Sequence, residues 1–235
     1  MINKRAANII LNAPSFIIKP FSRMITDYYI NKYARIEIEG IENLKNLKQP
    51  VIFVSNHLSN SDGLILNRVL KKYKPYFVAG VKLASNPVSR IGLEAVNIIP
   101  IHPNTPDTEA LRKCIEKIKE GKSILIFPEG TRSRTGKMIK GKKGVVLIAK
   151  KTGAKIVPLG LTGTENLMPI NDKDMSSEKF THADVKVTIG EPFYLPDKSI
   201  EDEKEKYNEK CLNIIMMKIS NLIPNEYRGI YSDKE

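Results

Sequence analysis

The sequence predicts an α/β fold. A mixed, largely parallel central sheet is flanked by helices, with an N-terminal amphipathic helical segment over residues 1–33 and one domain over residues 34–235. Three observations carry this expectation. Short apolar runs bounded by turn residues alternate with longer stretches of helical periodicity, the order that buries a sheet between helices. Two of the runs, Val51-Ile52-Phe53-Val54 and Ser123-Ile124-Leu125-Ile126-Phe127, lead straight into polar segments rich in reactive side chains. Strand ends of that kind are where open α/β sheets place their sites. At 235 residues the chain fits one domain and can bury a substantial core.

Residues 1–33 differ from the rest. Ile9, Ile10, Leu11, Phe16, Ile17, Ile18, Phe21, Met24 and Ile25 are interleaved with Lys4, Arg5, Lys19, Arg23 and Lys32. Pro14 and Pro20 are expected to break the stretch into short helical pieces. No run approaches the eighteen or so apolar residues of a membrane span. A secretory signal needs a longer unbroken apolar stretch and a small-residue cleavage site. Two readings stand together: a surface-lying anchor whose basic residues face anionic headgroups, and helices that pack on the domain.

The alternation then begins. Ala34 to Glu39 reads as a strand, and further strands are expected near 51–55, 76–80, 97–101, 123–127, 156–161 and 184–190. Helices are expected near 62–72, 107–120, 142–152 and 200–222. Thr105-Pro106-Asp107 with Glu109 starts the second of these, and Gly121 stops it. Residues 166–182 read as a polar, irregular crossing.

The first chemical segment is Asn56-His57-Leu58-Ser59-Asn60-Ser61-Asp62. A histidine accepts a proton near neutral pH. It serves best as a base when a carboxylate holds one ring nitrogen, fixing the tautomer and stabilising the imidazolium. Ser59, Asn60 and Ser61 favour a turn that brings Asp62 back to His57. The bland alternative is a His that ends a strand and bonds locally. No Gly-x-Ser-x-Gly elbow seats a nucleophilic serine. Cys114 and Cys211 both fall on apolar helical stripes, where burial is the expectation. A base without a protein nucleophile points to direct activation of a substrate hydroxyl.

The second segment is Phe127-Pro128-Glu129-Gly130-Thr131-Arg132, followed by Ser133 and Arg134. Gly130 permits a close backbone approach or positive φ. Thr131 offers a hydroxyl, and Arg132 a planar fork of donors suited to phosphate. After Glu129 no acidic residue occurs until Glu165, while nine lysines and arginines lie between them, from Arg132 to Lys155. Such a one-sign field concentrates anionic ligands.

Together the two segments resemble the glycerolipid acyltransferase family. Its first block, Asn-His-x-x-x-x-Asp, is matched by Asn56, His57 and Asp62, and its third, Phe-Pro-Glu-Gly-Thr-Arg-Ser, by Phe127 through Ser133. A following basic residue and glycine are matched by Lys142 and Gly144, and an apolar-Val-Pro-apolar strand by Ile156-Val157-Pro158-Leu159. The second block departs: its usual arginine is replaced by His102 or Pro103, depending on alignment. His102 either substitutes as a donor when protonated or simply ends a strand.

The resemblance implies an acyltransferase domain over 34–235 that moves a fatty acyl group from a thioester to the free hydroxyl of 1-acyl-sn-glycerol-3-phosphate, making phosphatidate. His57 and Asp62 are then the catalytic residues. Glu129, Gly130, Thr131, Arg132, Lys142 and His102 bind substrate, with Glu129 either touching substrate or positioning the loop. The donor is acyl-CoA or an acyl carrier protein. No metal or other cofactor is expected, because a thioester is already activated. The departure at His102 keeps two alternatives open: another lysolipid acceptor, or a non-catalytic membrane-binding protein of the same fold.

The formal net charge of +12 calls for an anionic partner. An anionic membrane surface and an acidic acyl carrier protein both qualify. Nucleic acid is not expected, because no zinc spacing, RNA-binding aromatic block or helix-turn-helix is visible. Two cysteines without a disulfide pattern suit a reducing compartment. The expected location is the cytoplasmic face of the cell membrane, held peripherally.

Overall fold

The computed structural model describes residue 12 and residues 14–81, 87–102, 107–171, 178–200 and 203–232. In chain order its elements are α1 (Ser15–Tyr33), β1 (Ala34–Glu39), β2 (Val51–Ser55), α2 (Asp62–Val69), β3 (Tyr76–Gly80), α3 (Pro87–Ala95), β4 (Asn97–Ile101) and α4 (Thr108–Lys119). There follow β5 (Ile124–Ile126), α5 (Gly144–Thr152), β6 (Lys155–Thr162), α6 (Thr164–Leu167), β7 (Ala183–Ile189), α7 (Lys204–Ser220) and α8 (Asn225–Arg228).

The seven strands form one sheet in the order β1-β7-β6-β2-β5-β3-β4. Neighbours run parallel except at β6–β7, where the chain turns back, so β1 and β7 oppose the other five. The α/β class and the mixed, largely parallel sheet expected from the sequence are found. The central strands are apolar throughout because both faces are covered. Along β2, Val51 and Phe53 enter one core, shared with Leu64, Ile65 and Leu66 of α2. Ile52 and Val54 enter the other, built with Cys114 and Ile118 of α4, Val145 and Ile148 of α5, and Cys211 and Ile215 of α7. β6 is central despite Pro158, which has no N–H to give. Its carbonyl accepts from Gly190 N at 2.9 Å, just past the end of β7, so the missing donor faces a break in the ladder.

Two expectations are corrected. The N-terminal segment is not broken at Pro20: α1 runs unbroken through it. Pro20 sits near the start of the helix and forgoes a single bond to the Phe16 carbonyl, and packing of the later turns outweighs that loss. Ile18, Ser22, Thr26 and Ile30 form the buried stripe of α1. The second correction is α3, which the sequence reading did not include. Pro87 suits its first position, but Gly92 within its nine residues lowers its own propensity. It is held against α1 by Ser15 Oγ to Glu94 Oε1 at 2.8 Å and by Arg23 Nε to the Ala95 carbonyl at 3.2 Å.

Candidate active site

The carboxyl ends of β2 and β5, adjacent and parallel, deliver the two polar segments to one place. The chain leaves β2 through Asn56, whose side-chain amide pairs with the backbone of Leu161 in both directions. Nδ2 donates to the carbonyl at 2.9 Å, and Oδ1 accepts from the N–H at 2.8 Å. Asn56 thus acts as a further rung between β2 and β6 and fixes where His57 emerges.

His57 Nδ1 lies 2.7 Å from Asp62 Oδ2. Asp62 is fully buried at the first position of α2, where the helix dipole favours negative charge. The same Oδ2 accepts from the backbone N–H groups of Leu58 at 2.6 Å and Ser59 at 2.9 Å. An ionised carboxylate only accepts, so the ring proton belongs on Nδ1 and Nε2 keeps its lone pair. The imidazole lies flat on Phe127, centroids 4.0 Å apart at 14°, with 19% of the side chain exposed. The pair is therefore a preset proton acceptor with one nitrogen available.

The second segment is tied to the first by its backbone. Ser133 N donates to the His57 carbonyl at 2.8 Å. Glu129 is buried, and each of its oxygens accepts a backbone N–H: Oε1 from His57 at 2.9 Å, Oε2 from Ile139 at 2.8 Å. Burial pushes its carboxyl up to about 7, with the nearby Asp62 charge adding to the rise and the two backbone hydrogen bonds opposing it. Glu129 thus sits beneath the loop and braces His57 against residues 137–141.

That stretch is strapped from the C-terminal side, where Met138 N donates to the Tyr227 carbonyl at 2.8 Å and Gly141 N to Tyr231 Oη at 3.2 Å. Gly229 makes the strap possible. At φ +56°, a Cβ there would fall 2.2 Å from the Met138 carbonyl oxygen.

Gly130 and Thr131 form the exposed tip of the turn. Gly130 has φ +70°, and an added Cβ would sit 2.9 Å from Lys142 Cδ and Nζ. The lysine side chain drapes over the bare glycine, which brings its ammonium to the turn. Arg132 has 15% of its side chain exposed, and its Nη1 lies 2.8 Å from Glu178 Oε1. His57, Asp62, Glu129, Gly130, Thr131, Arg132 and Lys142 therefore converge.

His102 does not join them. It ends β4, three strand positions from β2, or about 14 Å at the usual strand spacing. Its Nδ1 lies 3.0 Å and its backbone N–H 2.8 Å from Asp107 Oδ2. The His102 N–H, the Ala110 N–H that the same carboxylate caps, and the His102 ring hold Asp107 down at about 2. His102 and Asp107 thus repeat the spacing of His57 and Asp62, but the ring is 71% exposed. Among the described residues no three His, Cys, Asp or Glu side chains converge as metal ligands.

Glu178 and the echo at His102–Asp107 were missed in the sequence. The echo was visible as a second His-x-x-x-x-Asp. Glu178 stood among other acidic residues of the crossing, with no local sign of its partner.

A family model described as "Acyltransferase" matches residues 35–162. A chloroplastic 1-acyl-sn-glycerol-3-phosphate acyltransferase of Brassica napus is 34% identical over 167 residues, 70% of this chain and 47% of that protein. A 1-acyl-sn-glycerol-3-phosphate acyltransferase of Bacillus subtilis is 27% identical over 168 residues, covering 71% of this chain and 79% of that one. The crystal structure of the 1-acyl-sn-glycerophosphate acyltransferase PlsC from Thermotoga maritima superposes with a TM-score of 0.61 at 26% identity, covering 94% of this chain and 83% of that chain. The match reaches about half the length of the plant relatives. With the model match covering more than half of its residues, this chain belongs to the acyltransferase family.

Proposed function

We propose that the chain transfers a fatty acyl group from an acyl thioester, acyl-CoA or acyl carrier protein, to the free hydroxyl of 1-acyl-sn-glycerol-3-phosphate, making phosphatidate. The observation that carries this reading is the His57–Asp62 pair at 2.7 Å, with Nδ1 engaged and Nε2 holding a lone pair. Nε2 takes the hydroxyl proton as the acceptor oxygen attacks the thioester carbonyl carbon. The C–S bond breaks, and the leaving thiolate takes that proton from the imidazolium. Asp62 offsets the transient positive charge. Arg132, Lys142 and the Gly130–Thr131 turn hold the acceptor phosphate, and Glu129 keeps their loop against His57. His102 lies outside this cluster, three strand positions from His57, and holds no part of the acceptor in this reading.

The protein works at the cytoplasmic face of the cell membrane, held peripherally by residues 1–33. Support comes from α1, whose outward face carries Ile17, Phe21, Met24, Ile25 and Tyr28, all exposed at helical spacing. An apolar stripe left outside the domain suits a lipid interface. No described helix is long and apolar enough to cross a membrane.

The test is turnover with labelled acyl donor across a panel of lysolipids, for wild type and His57→Ala. Lysophosphatidate should be the preferred acceptor, and the substitution should lower turnover by about 10²–10⁴-fold without loss of folding. A His57→Ala protein that keeps more than about half of wild-type turnover removes the mechanism. Preference for another lysolipid reassigns the acceptor, and inactivity on the whole panel favours a non-catalytic membrane-binding role.

A further inference from the structure

Glu178 lies in the crossing between α6 and β7, with its side chain 2% exposed. One oxygen accepts from Arg132 Nη1 at 2.8 Å and from Asn171 N at 3.3 Å. The other accepts from Asn60 Nδ2 at 2.7 Å. A single buried carboxylate therefore joins the loop that carries His57 and Asp62 to the loop that carries Arg132.

We propose that Glu178 is a positioning residue for the acceptor, setting the Arg132 guanidinium in fixed relation to the His57 base. The inference rests on the reading in which Arg132 holds the acceptor phosphate. In 1-acyl-sn-glycerol-3-phosphate the phosphate and the reacting hydroxyl lie on neighbouring carbons. The phosphate holder and the base must then keep one separation for the hydroxyl to reach Nε2. Arg132 alone cannot supply that, since its long side chain samples many rotamers. Clamped at Nη1, the planar fork has its remaining donors aimed in one direction, as two-point binding of phosphate requires. Asn60 and the Asn171 N–H hold the clamp itself.

The experiment is a double-mutant cycle on KM for lysophosphatidate with Arg132→Ala and Glu178→Asp. The aspartate keeps the charge and draws the carboxylate back by one methylene, which protects folding. Arg132→Ala should raise KM by about ten- to a hundred-fold, the loss of a charge-assisted hydrogen bond. Glu178→Asp should raise it about three- to ten-fold, with kcat falling by less than KM rises. In the Arg132→Ala background Glu178→Asp should add nothing, because its effect passes through Arg132. Effects that multiply, or a KM unmoved by Glu178→Asp while Arg132→Ala raises it, overturn the inference alone. A KM unmoved by Arg132→Ala overturns the phosphate reading and the inference with it.

Discussion

Asp62→Asn separates the two services an orienting carboxylate can give: setting the tautomer and supplying charge. In the structure three donors converge on the single atom Oδ2: His57 Nδ1 at 2.7 Å, Leu58 N at 2.6 Å and Ser59 N at 2.9 Å. An asparagine has one acceptor oxygen. Placed where Oδ2 now lies, it keeps all three bonds. Turned over, its NH₂ faces three N–H donors and forfeits them, at about 2–4 kcal/mol for three ordinary hydrogen bonds. The two backbone donors therefore hold the amide the right way round, and Nδ1 stays protonated. What is lost is the negative charge. Exchanging a charge-assisted bond to the imidazolium for a neutral one costs about 1–1.5 kcal/mol, or roughly five- to twelve-fold in kcat. The assay is steady-state acyl transfer to lysophosphatidate with saturating labelled donor. Asp62→Asn should lose less activity than His57→Ala and should fold as wild type does. A loss as deep as that of His57→Ala would mean the tautomer had gone with the charge, and the convergence on Oδ2 would not be what orients the ring.

Three further outcomes follow from particular residues. Glu129 titrates at about 7 in the fold against an ordinary 4.5, so the folded state binds the extra proton between those values. Its contribution to stability is full below about pH 4.5 and is lost as pH rises through about 7. Melting temperatures from pH 4.5 to 8 should fall more steeply for wild type than for Glu129→Gln, and identical slopes would refute the assignment. Burial, with the Asp107 charge adding to it, pushes the Cys114 thiol up to about 12, so it is no nucleophile. Incubation with thioester alone should leave the protein mass unchanged, and a stoichiometric acyl adduct on Cys114 or a serine would disprove direct transfer. Replacing Phe21 and Met24 of α1 with serine should weaken binding to anionic vesicles several-fold while moving the melting temperature little, since both are exposed. Unchanged vesicle binding would place the membrane contact elsewhere.

Much of the fold was readable from the chain because its signals are local. Val51-Ile52-Phe53-Val54 is wholly apolar and ends in Asn-His, and the structure ends β2 there. His57 and Asp62 could be paired on paper because a turn of only four residues, three of them polar, separates them, and the start of α2 returns the carboxylate. α3 was missed for the converse reason: it is short, Gly92 weakens its helical signal, and it is held by contacts with α1, some seventy residues earlier.

The Phe127–Arg132 turn marks the boundary. Its composition announced an anionic ligand, but it carries Glu129 and Arg132 three residues apart, and nothing local says which faces inward. Packing decided that. Glu129 points under the loop because its buried carboxylate finds two backbone donors there, the N–H groups of His57 and Ile139. Arg132 turns to Glu178, 46 residues on, because a half-buried guanidinium needs a counter-charge that only the returning crossing supplies. His102, on paper either a stand-in for the missing arginine or an ordinary strand end, stands apart because β5 and β3 lie between β4 and β2. Side-chain type and short spacing are properties of the chain itself. Strand order, facing and long-range charge pairing depend on which distant segments meet, and only the folded molecule settles them.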